Sequence, residues 1–357
     1  MNPIFSASGA VFCRALGLVG SMLLCNGLSA QSIYLPMVSV GYANNTADGN
    51  GRGSVSYNYS IGTYEVTNSQ YATFLNAVAT TDTFALYNTN MGSNAQGGIT
   101  RSGSSGSYTY AARTGYADKP VTFVSYWDAA RFANWVGTGT TEGRAVQNGS
   151  LLSGAAYDLN FVAFPSFTAG NRLAGAAYAL PTENEWYKAA YYQPTAQGGP
   201  SDSYWLYPTQ SDAVPVSAQP GAGTNRGNFY FNDSNGGYAV TQSTSFDGSQ
   251  VYVTDVGAYS DSASFFGTFD QGGNVYEWND LLVATGRRVR GGSWQTWEDA
   301  LRSSYWILHA GAANEDPSIG FRVASLAPIP EPSTYALLVG VISLGAVMGR
   351  RRLRRGT

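Results

Sequence analysis

The sequence has 357 residues, of which 44% are hydrophobic and only 12% charged, a balance that excludes an intrinsically disordered chain and allows one large domain or two small ones. The formal net charge is −3, but without Arg14, the five arginines at positions 350–355 and Glu331, the remaining 14 basic and 22 acidic residues give the body a charge of −8. Because phosphate backbones require a basic surface, this acidic body excludes a nucleic-acid-binding protein.

The first thirty residues have the order of a secretory signal peptide. Arg14 precedes an apolar stretch that ends at Leu24, and residues 28–30 (Leu-Ser-Ala) form a cleavage site of small residues. The alternative is an N-terminal membrane anchor, but the apolar stretch is well short of the ~20 residues that a span needs. The pattern therefore predicts cleavage after Ala30 and an exported chain that begins at Gln31.

Both cysteines of the sequence, Cys13 and Cys25, lie within this leader. A chain cleaved after Ala30 therefore has no thiol, so it can form neither a disulfide nor a cysteine metal site. Lipidation of Cys25 is the alternative to cleavage after Ala30. It is disfavoured because Leu24 stands where a lipoprotein signal has a small residue.

Three segments of the body each predict a helix, because a capping residue precedes apolar residues at helical spacing. Thr67 begins the first as part of a capping box with Gln70, and Ser125 and Thr182 begin the second and third. Each helix is expected to bury one stripe, formed by Tyr71, Phe74, Leu75 and Val78 in the first, Ala129, Phe132, Ala133 and Val136 in the second, and Trp186, Ala189 and Ala190 in the third.

Two long stretches, residues 88–115 and 194–236, are rich in Gly, Ser, Asn, Pro and aromatic residues and predict loops. Loops longer than about 15 residues are uncommon unless they are functional or pinned, and a metal ion can pin them where no disulfide can. Farther along, alternation in 289–290 (Val-Arg) and 321–323 (Phe-Arg-Val) predicts short strands whose arginines face carboxylates or carbonyls. We therefore expect residues 31–327 to form one α+β domain with little regular structure.

The last thirty residues, 328–357, have the order of a sorting tail. Pro330, Glu331 and Pro332 precede an apolar stretch at 335–349, and arginines close the chain. The apolar stretch predicts a short transmembrane helix whose arginines stay on the cytoplasmic side. The tail closely resembles the PEP-CTERM signal, which implies processing by an exosortase in the envelope of a Gram-negative bacterium that often makes extracellular polysaccharide. The alternative is a permanent membrane anchor.

Six short motifs follow one another along the body between residues 55 and 325. They are Tyr64-Glu65-Val66-Thr67-Asn68, Pro120-Val121-Thr122, Leu180-Pro181-Thr182-Glu183, Gly273-Asn274-Val275-Tyr276-Glu277-Trp278, Arg290-Gly291-Gly292-Ser293-Trp294 and Gly320-Phe321-Arg322. In this order they closely resemble the formylglycine-generating enzyme family, the sulfatase-modifying-factor domain. The resemblance implies an irregular, loop-rich α+β domain that is related to C-type lectins and held together by calcium.

The resemblance does not extend to the metal ligands of catalysis. Active members oxidise a sulfatase cysteine to formylglycine with two copper-binding cysteines, whose positions fall at about Thr296 and Leu301 here. A related branch holds iron with three histidines, whereas His309 is the single histidine of this chain. Copper is therefore not expected. The interpretation is an exported, non-catalytic binding or structural module, with an oxidoreductase of altered chemistry as the alternative.

The resemblance also implies two calcium sites, built from the hard oxygen ligands that Ca²⁺ prefers. The first would use the side chains of Asp270 and Glu277 and the carbonyls of Gly273 and Val275. The second would use the Asn228 side chain, the Phe229 carbonyl and Asp247. The alternative for Glu277 is an ion pair with a nearby arginine such as Arg290.

Aromatic residues of the predicted loops are candidates to stack on sugars, which would make extracellular polysaccharide a partner. They are Tyr204, Trp205, Tyr207, Tyr230, Trp297 and Trp306. Packing in the core is the alternative and the commoner fate of such residues. The other expected partners are the exosortase and, before processing, the membrane through the C-terminal helix.

Overall fold

The structure, a computed structural model, describes residues 33–138, 154–159, 172–231, 236–283, 286–305, 307–308 and 311–326. Several predicted features lie outside these residues: the leader with Ala30, the tail with Pro330, Glu331, Pro332 and the stretch 335–349, and also Trp306 and His309. In the ranges that are described, no helix is long and apolar enough to cross a membrane.

The three predicted helices are confirmed, and each begins next to its predicted cap. The helices are α1 (Asn68–Val78), the one-turn α2 (Asn90–Ser93), α3 (Tyr126–Thr138) and α4 (Glu183–Tyr191). Thr67 and Thr182 both form capping boxes, with Gln70 and Glu185 as the residues that reach back. At α3 the Ser125 N–H donates to Asp128 Oδ2 over 2.9 Å, so an aspartate completes this cap.

Two four-stranded sheets frame the domain. The first has the order β1 (Met37–Val40), β2 (Tyr59–Gly62), β14 (Ala324–Ser325), β5 (Tyr178–Ala179), with every neighbouring pair antiparallel. The second has the order β12 (Ile307–Leu308), β11 (Gly286–Arg290), β10 (Tyr276–Val283), β13 (Ile319–Gly320), in which only β10 and β13 run parallel. Because β14 pairs with β2, the beginning and the end of the domain meet in one sheet.

Two two-stranded sheets lie within the stretches that the sequence predicts as loops, and a third has one strand inside the second stretch and its other strand just after it. They are β3 (Ile99–Ser102) with β4 (Thr109–Ala112), β6 (Val216–Ser217) with β7 (Arg226–Gly227), and β8 (Tyr230–Phe231) with β9 (Gly237–Tyr238). The loop prediction for 88–115 is therefore wrong, since α2 and the β3–β4 hairpin occupy it. Ile99 and Tyr110 are buried in the core, and this burial stabilises a hairpin of otherwise polar composition. Among its described residues, the stretch 194–236 is mostly irregular, because the strands have two residues each and a 3₁₀ turn covers only Thr195–Gln197.

The strand prediction holds for 289–290, which lie in β11, and is wrong for 321–323, which connect β13 to β14. There the carbonyls of Phe321 and Val323 accept hydrogen bonds from the N–H groups of Val66 and Gly62, so the segment is held at the start of the domain and not in its own ladder. The expectation for the arginine of this segment is nevertheless confirmed, because Arg322 contacts a carboxylate and carbonyls.

The main core joins α1, α3 and the last motif through aromatic rings. Phe132 lies 5.4 Å from Phe74 and 5.3 Å from Phe321 between ring centroids, both in edge-on geometry. All three rings are fully buried, and each contributes on the order of 2 kcal/mol by its removal from water. This core places Arg322, the residue after Phe321, against the first sheet.

Candidate functional site

Three carboxyl groups lie within electrostatic reach of one buried guanidinium, and we call Glu65, Asp270, Glu277 and Arg322 the Arg322 cluster. Arg322 Nε donates to Glu277 Oε2 over 2.6 Å and its Nη2 donates to Oε1 over 2.7 Å. Trp186 Nε1 donates to the same Oε2 over 2.8 Å. Glu277 and Arg322 are both 0% exposed, so they form a bidentate ion pair that is buried from solvent.

The remaining donors of Arg322 bind backbone carbonyls. Its Nη1 donates to Gly62 O (2.9 Å) and Thr63 O (3.2 Å), and its Nη2 donates to Phe269 O (2.8 Å). These bonds connect the end of β2, the loop before Asp270 and strand β10. The guanidinium therefore holds together three segments that are far apart in the sequence.

The other two carboxyls of the cluster form no ion pair of their own with any residue that the structure describes. Asp270 Oδ2 accepts from the Gly257 N–H over 2.6 Å, and Glu65 Oε1 accepts from Asn274 Nδ2 over 3.0 Å. Glu65 Oε2 is buried and has no hydrogen-bond partner among the residues that the structure describes. Burial raises the pKa of Asp270 to about 6, against the Gly257 bond and Arg322, which lower it. Burial, with the neighbouring charge of Asp270, raises the pKa of Glu65 well above its usual range. The cluster thus holds more carboxylates than it can ionise without a proton or a cation.

Two members of the first calcium set, Asp270 and Glu277, do lie in one cluster. Both oxygens of Glu277 are already engaged by Arg322 and Trp186, however, so an ion that used Glu277 would have to displace a charged donor. The ligand set that the resemblance implies therefore fits only in part. Over the described ranges, no three His, Cys, Asp or Glu side chains are grouped so that they could hold a metal ion.

The alternative for Glu277, an ion pair with a nearby arginine, is confirmed, but the arginine is Arg322 and not Arg290. The two residues lie opposite each other on β10 and β11, but Arg290 Nε donates to Glu183 Oε1 over 3.0 Å. Glu277 reaches Arg322 instead.

In the second calcium set, the oxygen of Asn228 that would bind the ion is not otherwise engaged, since Asn228 Oδ1 is buried and has no hydrogen-bond partner among the described residues. Asn228 is buried, and its Nδ2 donates to Tyr252 O over 2.8 Å, while Ser217 Oγ donates to the Phe229 carbonyl over 2.6 Å. Asp247 lies on an exposed loop, where its carboxylate accepts from the N–H (2.9 Å) and hydroxyl (2.7 Å) of Ser249. The Asp247 carboxylate is therefore engaged within its own exposed loop.

The two positions that the resemblance assigns to copper ligands are neighbours in space. A side-chain carbon added at Gly292 would lie 2.8 Å from Leu301 Cδ1 and 3.1 Å from Thr296 Oγ1. Leu301 is fully buried, and Thr296 Oγ1 accepts from the Ser293 N–H over 2.8 Å and donates to its carbonyl over 3.1 Å. The place is thus filled by a hydroxyl that is already hydrogen-bonded and by an alkyl group.

The aromatic candidates for sugar stacking divide by burial. Tyr204 and Tyr207 are buried in the protein, Trp205 and Tyr230 are half-buried, and Trp297 is 57% exposed. Core packing is therefore confirmed for the first two, and Trp297 is the candidate that presents a ring to solvent.

Sequence reasoning missed the exposed ring of Phe246, which stacks over Trp294 at 6.1 Å and 17°. It also missed Glu65 as a member of the Arg322 cluster, although Glu65 stands in the first motif. No local pattern marks either residue, because both acquire their surroundings from segments far away in the chain.

A model of the sulfatase-modifying factor enzyme 1-like domain family matches residues 38–327. Comparison with curated proteins finds no match. Among solved structures, the chain is similar to CarF, at 18% identity and a TM-score of 0.47 over 82% of this chain and 98% of that one. It is similar also to Treponema denticola variable protein 1 (15%, 0.45, 84% and 98%) and to PvdO from Pseudomonas aeruginosa (16%, 0.39, 81% and 92%).

Proposed function

The chain belongs to the sulfatase-modifying factor enzyme 1-like domain family, and we propose that it is an exported, non-catalytic member that acts as a binding or structural module at the cell surface. The observation that carries this proposal is the pair Thr296 and Leu301 beside Gly292. Cu(I) prefers sulfur ligands, and neither a hydrogen-bonded hydroxyl nor a buried alkyl group replaces a thiolate. Both cysteines of the sequence precede residue 31.

The test is an assay for formylglycine formation. The purified protein is incubated with copper and a sulfatase-type cysteine peptide, and the peptide is followed by mass spectrometry. A family member that has the cysteine pair serves as the positive control. We expect no conversion by this protein, and copper-dependent turnover would favour the alternative, an oxidoreductase of altered chemistry.

Calcium binding is part of the proposal, in a form that the Arg322 cluster supports. The cluster has more carboxylates than cations, which favours the binding of a cation. Asp270 is the side chain that we expect to bind it, because Glu277 is already bound by Arg322. We expect calcium to raise the melting temperature of the parent above its value in chelator, because a bound ligand stabilises the folded state. Asp270→Asn should abolish this difference, and Asp299→Asn, which removes a surface carboxylate, should keep it. If calcium still raises the melting temperature of Asp270→Asn, the ion binds at a different site.

Export and sorting are proposed from the two ends of the sequence. Cleavage after Ala30 and processing by an exosortase near Pro330-Glu331-Pro332 would leave a secreted or surface-bound domain in the envelope of a Gram-negative bacterium. The intact mass of the protein recovered from its host tests both steps. We expect a start at Gln31 and loss of 335–349, and a mass that retains this stretch would mean a permanent anchor.

Extracellular polysaccharide is the partner that we propose for the exposed aromatic residue Trp297. Aromatic rings that keep one face in solvent can stack on the apolar face of a sugar. Co-sedimentation of the protein with polysaccharide isolated from the host measures binding. We expect Trp297→Ala to weaken it and Tyr207→Phe, a change to a buried ring, to leave it unchanged.

A further inference from the structure

A cavity of about 470 Å³ lies between residues 34–36, the end of β2 and the start of α1. This volume lies in the range of small-molecule sites. Its wall includes Tyr34, Tyr64, Glu65, Asp118 and Asp255, and we call it the Tyr64 cavity. The residues around Gly292 do not line it, so it is distinct from the place where the family's copper ligands would lie.

The wall of the Tyr64 cavity is acidic. Three of its residues carry carboxyl groups and none is basic. Asp118 is exposed, and its carboxylate has no hydrogen bond or ion pair with any described residue. Asp255 Oδ1 accepts from Lys119 Nζ over 2.9 Å, and its side chain is 59% exposed. Glu65 adds a buried Oε2 that has no hydrogen-bond partner among the described residues, and because burial raises the pKa of Glu65 well above its usual range, the negative charge comes from Asp118 and Asp255. The cavity therefore offers acceptors and negative charge.

The start of α1 does not offset this charge with free donors. A helix N-terminus can hold an anion through its unpaired N–H groups. Here these groups are already paired: Asn68 N donates to Lys119 O (2.9 Å), Ser69 N to Ala117 O (3.0 Å) and Gln70 N to Thr67 Oγ1 (3.3 Å). A phosphate or carboxylate ligand would therefore meet acceptors in the wall and find these donors occupied.

Two tyrosine rings complete the wall. Tyr64 stacks on Phe269 at 5.5 Å and 28°, and it lies so close to Gly257 that a side-chain carbon there would be 2.5 Å from the ring. The position of this ring is therefore fixed. Tyr34 is 80% exposed at the rim, and its carbonyl accepts from Gln70 Nε2 over 3.0 Å. Aromatic faces beside carboxylates are the surroundings that recognise organic cations.

We propose that the Tyr64 cavity binds a small organic cation with an ammonium group, in which Asp118 is the counter-ion and the rings of Tyr34 and Tyr64 contact the alkyl part. A free alkylamine and the lysine side chain of a peptide share this chemistry. The site is independent of the proposed loss of catalysis, since it uses none of the residues around Gly292.

The test is calorimetric titration of the full chain with n-butylammonium and with a lysine-containing peptide. n-Butanol and the same peptide with acetylated lysine are the uncharged controls. We expect both charged probes to bind and both uncharged ones to fail, with an affinity that falls as salt is added. If one charged probe binds and the other does not, the proposal stands and the source of the ammonium group is identified.

Two variants move the affinity in opposite directions. Asp118→Asn should weaken binding at least tenfold, because it removes the charge of the unpaired carboxylate. Lys119→Ala should strengthen binding, because it frees Asp255 from its ion pair. Asp299→Asn, a surface change elsewhere, should bind as the parent does. Both carboxylates are exposed, so unchanged melting temperatures are expected and show that the fold is intact. Equal affinity of parent and Asp118→Asn, or equal binding of butanol and butylammonium, would overturn the proposal.

Discussion

The ion pair of Glu277 and Arg322 is the contact whose loss we expect to destabilise the domain most clearly, and Glu277→Gln is the perturbation that removes it. Glutamine keeps the shape of the side chain and one carbonyl oxygen, so Trp186 Nε1 keeps an acceptor. The charge that faces Arg322 disappears, while the guanidinium remains fully buried. The variant therefore removes the negative charge together with one of the two hydrogen bonds that Arg322 donates to this side chain, because an amide nitrogen cannot accept.

The magnitude follows from the burial of both partners. Breaking a buried ion pair costs about 3–5 kcal/mol, because one charge is left in the interior without compensation. We expect the lower end of this range, since Asp270 and Glu65 lie near enough to ionise and replace part of the lost charge. A loss of about 3 kcal/mol corresponds to a drop in melting temperature of roughly 6–12 °C for a domain of this size.

The assay is a thermal melt by circular dichroism of the parent and Glu277→Gln, each with excess calcium and with chelator. Because Glu277 faces Arg322, we expect the same drop in both conditions. If Glu277 were a calcium ligand, the drop would be larger in calcium than in chelator. Calcium at a hundred times its dissociation constant adds about 2.7 kcal/mol to the free energy of unfolding, and only the parent would gain it. Asp299→Asn breaks an exposed pair with Arg302 and should melt within about 2 °C of the parent. A Glu277→Gln variant that melts like the parent would refute the reasoning.

Two further predictions concern buried groups elsewhere. Burial raises the pKa of Asp128 to about 7, with Glu315 adding to the effect, so the folded state retains a proton that the unfolded chain releases near pH 4. Stability should therefore fall as the pH rises from about 4 to 7, by on the order of 4 kcal/mol. Urea denaturation at pH 4 and pH 8 should show a smaller fall for Asp128→Asn than for the parent, and an equal fall would count against the prediction. Gly273 has φ +105° and would place a side-chain carbon 2.3 Å from Asn228 O, so Gly273→Ala should cost more than about 3 kcal/mol in urea denaturation. Gly106→Ala, at φ +93° in open space, should cost about 1 kcal/mol, and equal losses would show that the close contact is unimportant.

The helix starts could be predicted from the sequence because capping is a local interaction. Thr67 and Thr182 bind backbone N–H groups three residues ahead, so the whole contact lies within four residues of chain. The six motifs, in their order along the chain, likewise predicted one loop-rich α+β domain through their resemblance to a known family. Hairpin β3–β4 escaped prediction, because its residues are mostly polar and it is the burial of Ile99 and Tyr110 that holds it.

The partners of the charged residues were decided by the tertiary structure alone. Arg290 lies opposite Glu277 in the ladder, yet it binds Glu183, and Arg322 takes Glu277 across 45 residues of sequence. The same holds for Asp118 and Tyr64, which share a cavity wall although they stand far apart in the chain. The sequence determines which residues are charged. Which charged residues form ion pairs depends on how the helices and sheets pack, because packing is determined by contacts between segments that are far apart in the chain.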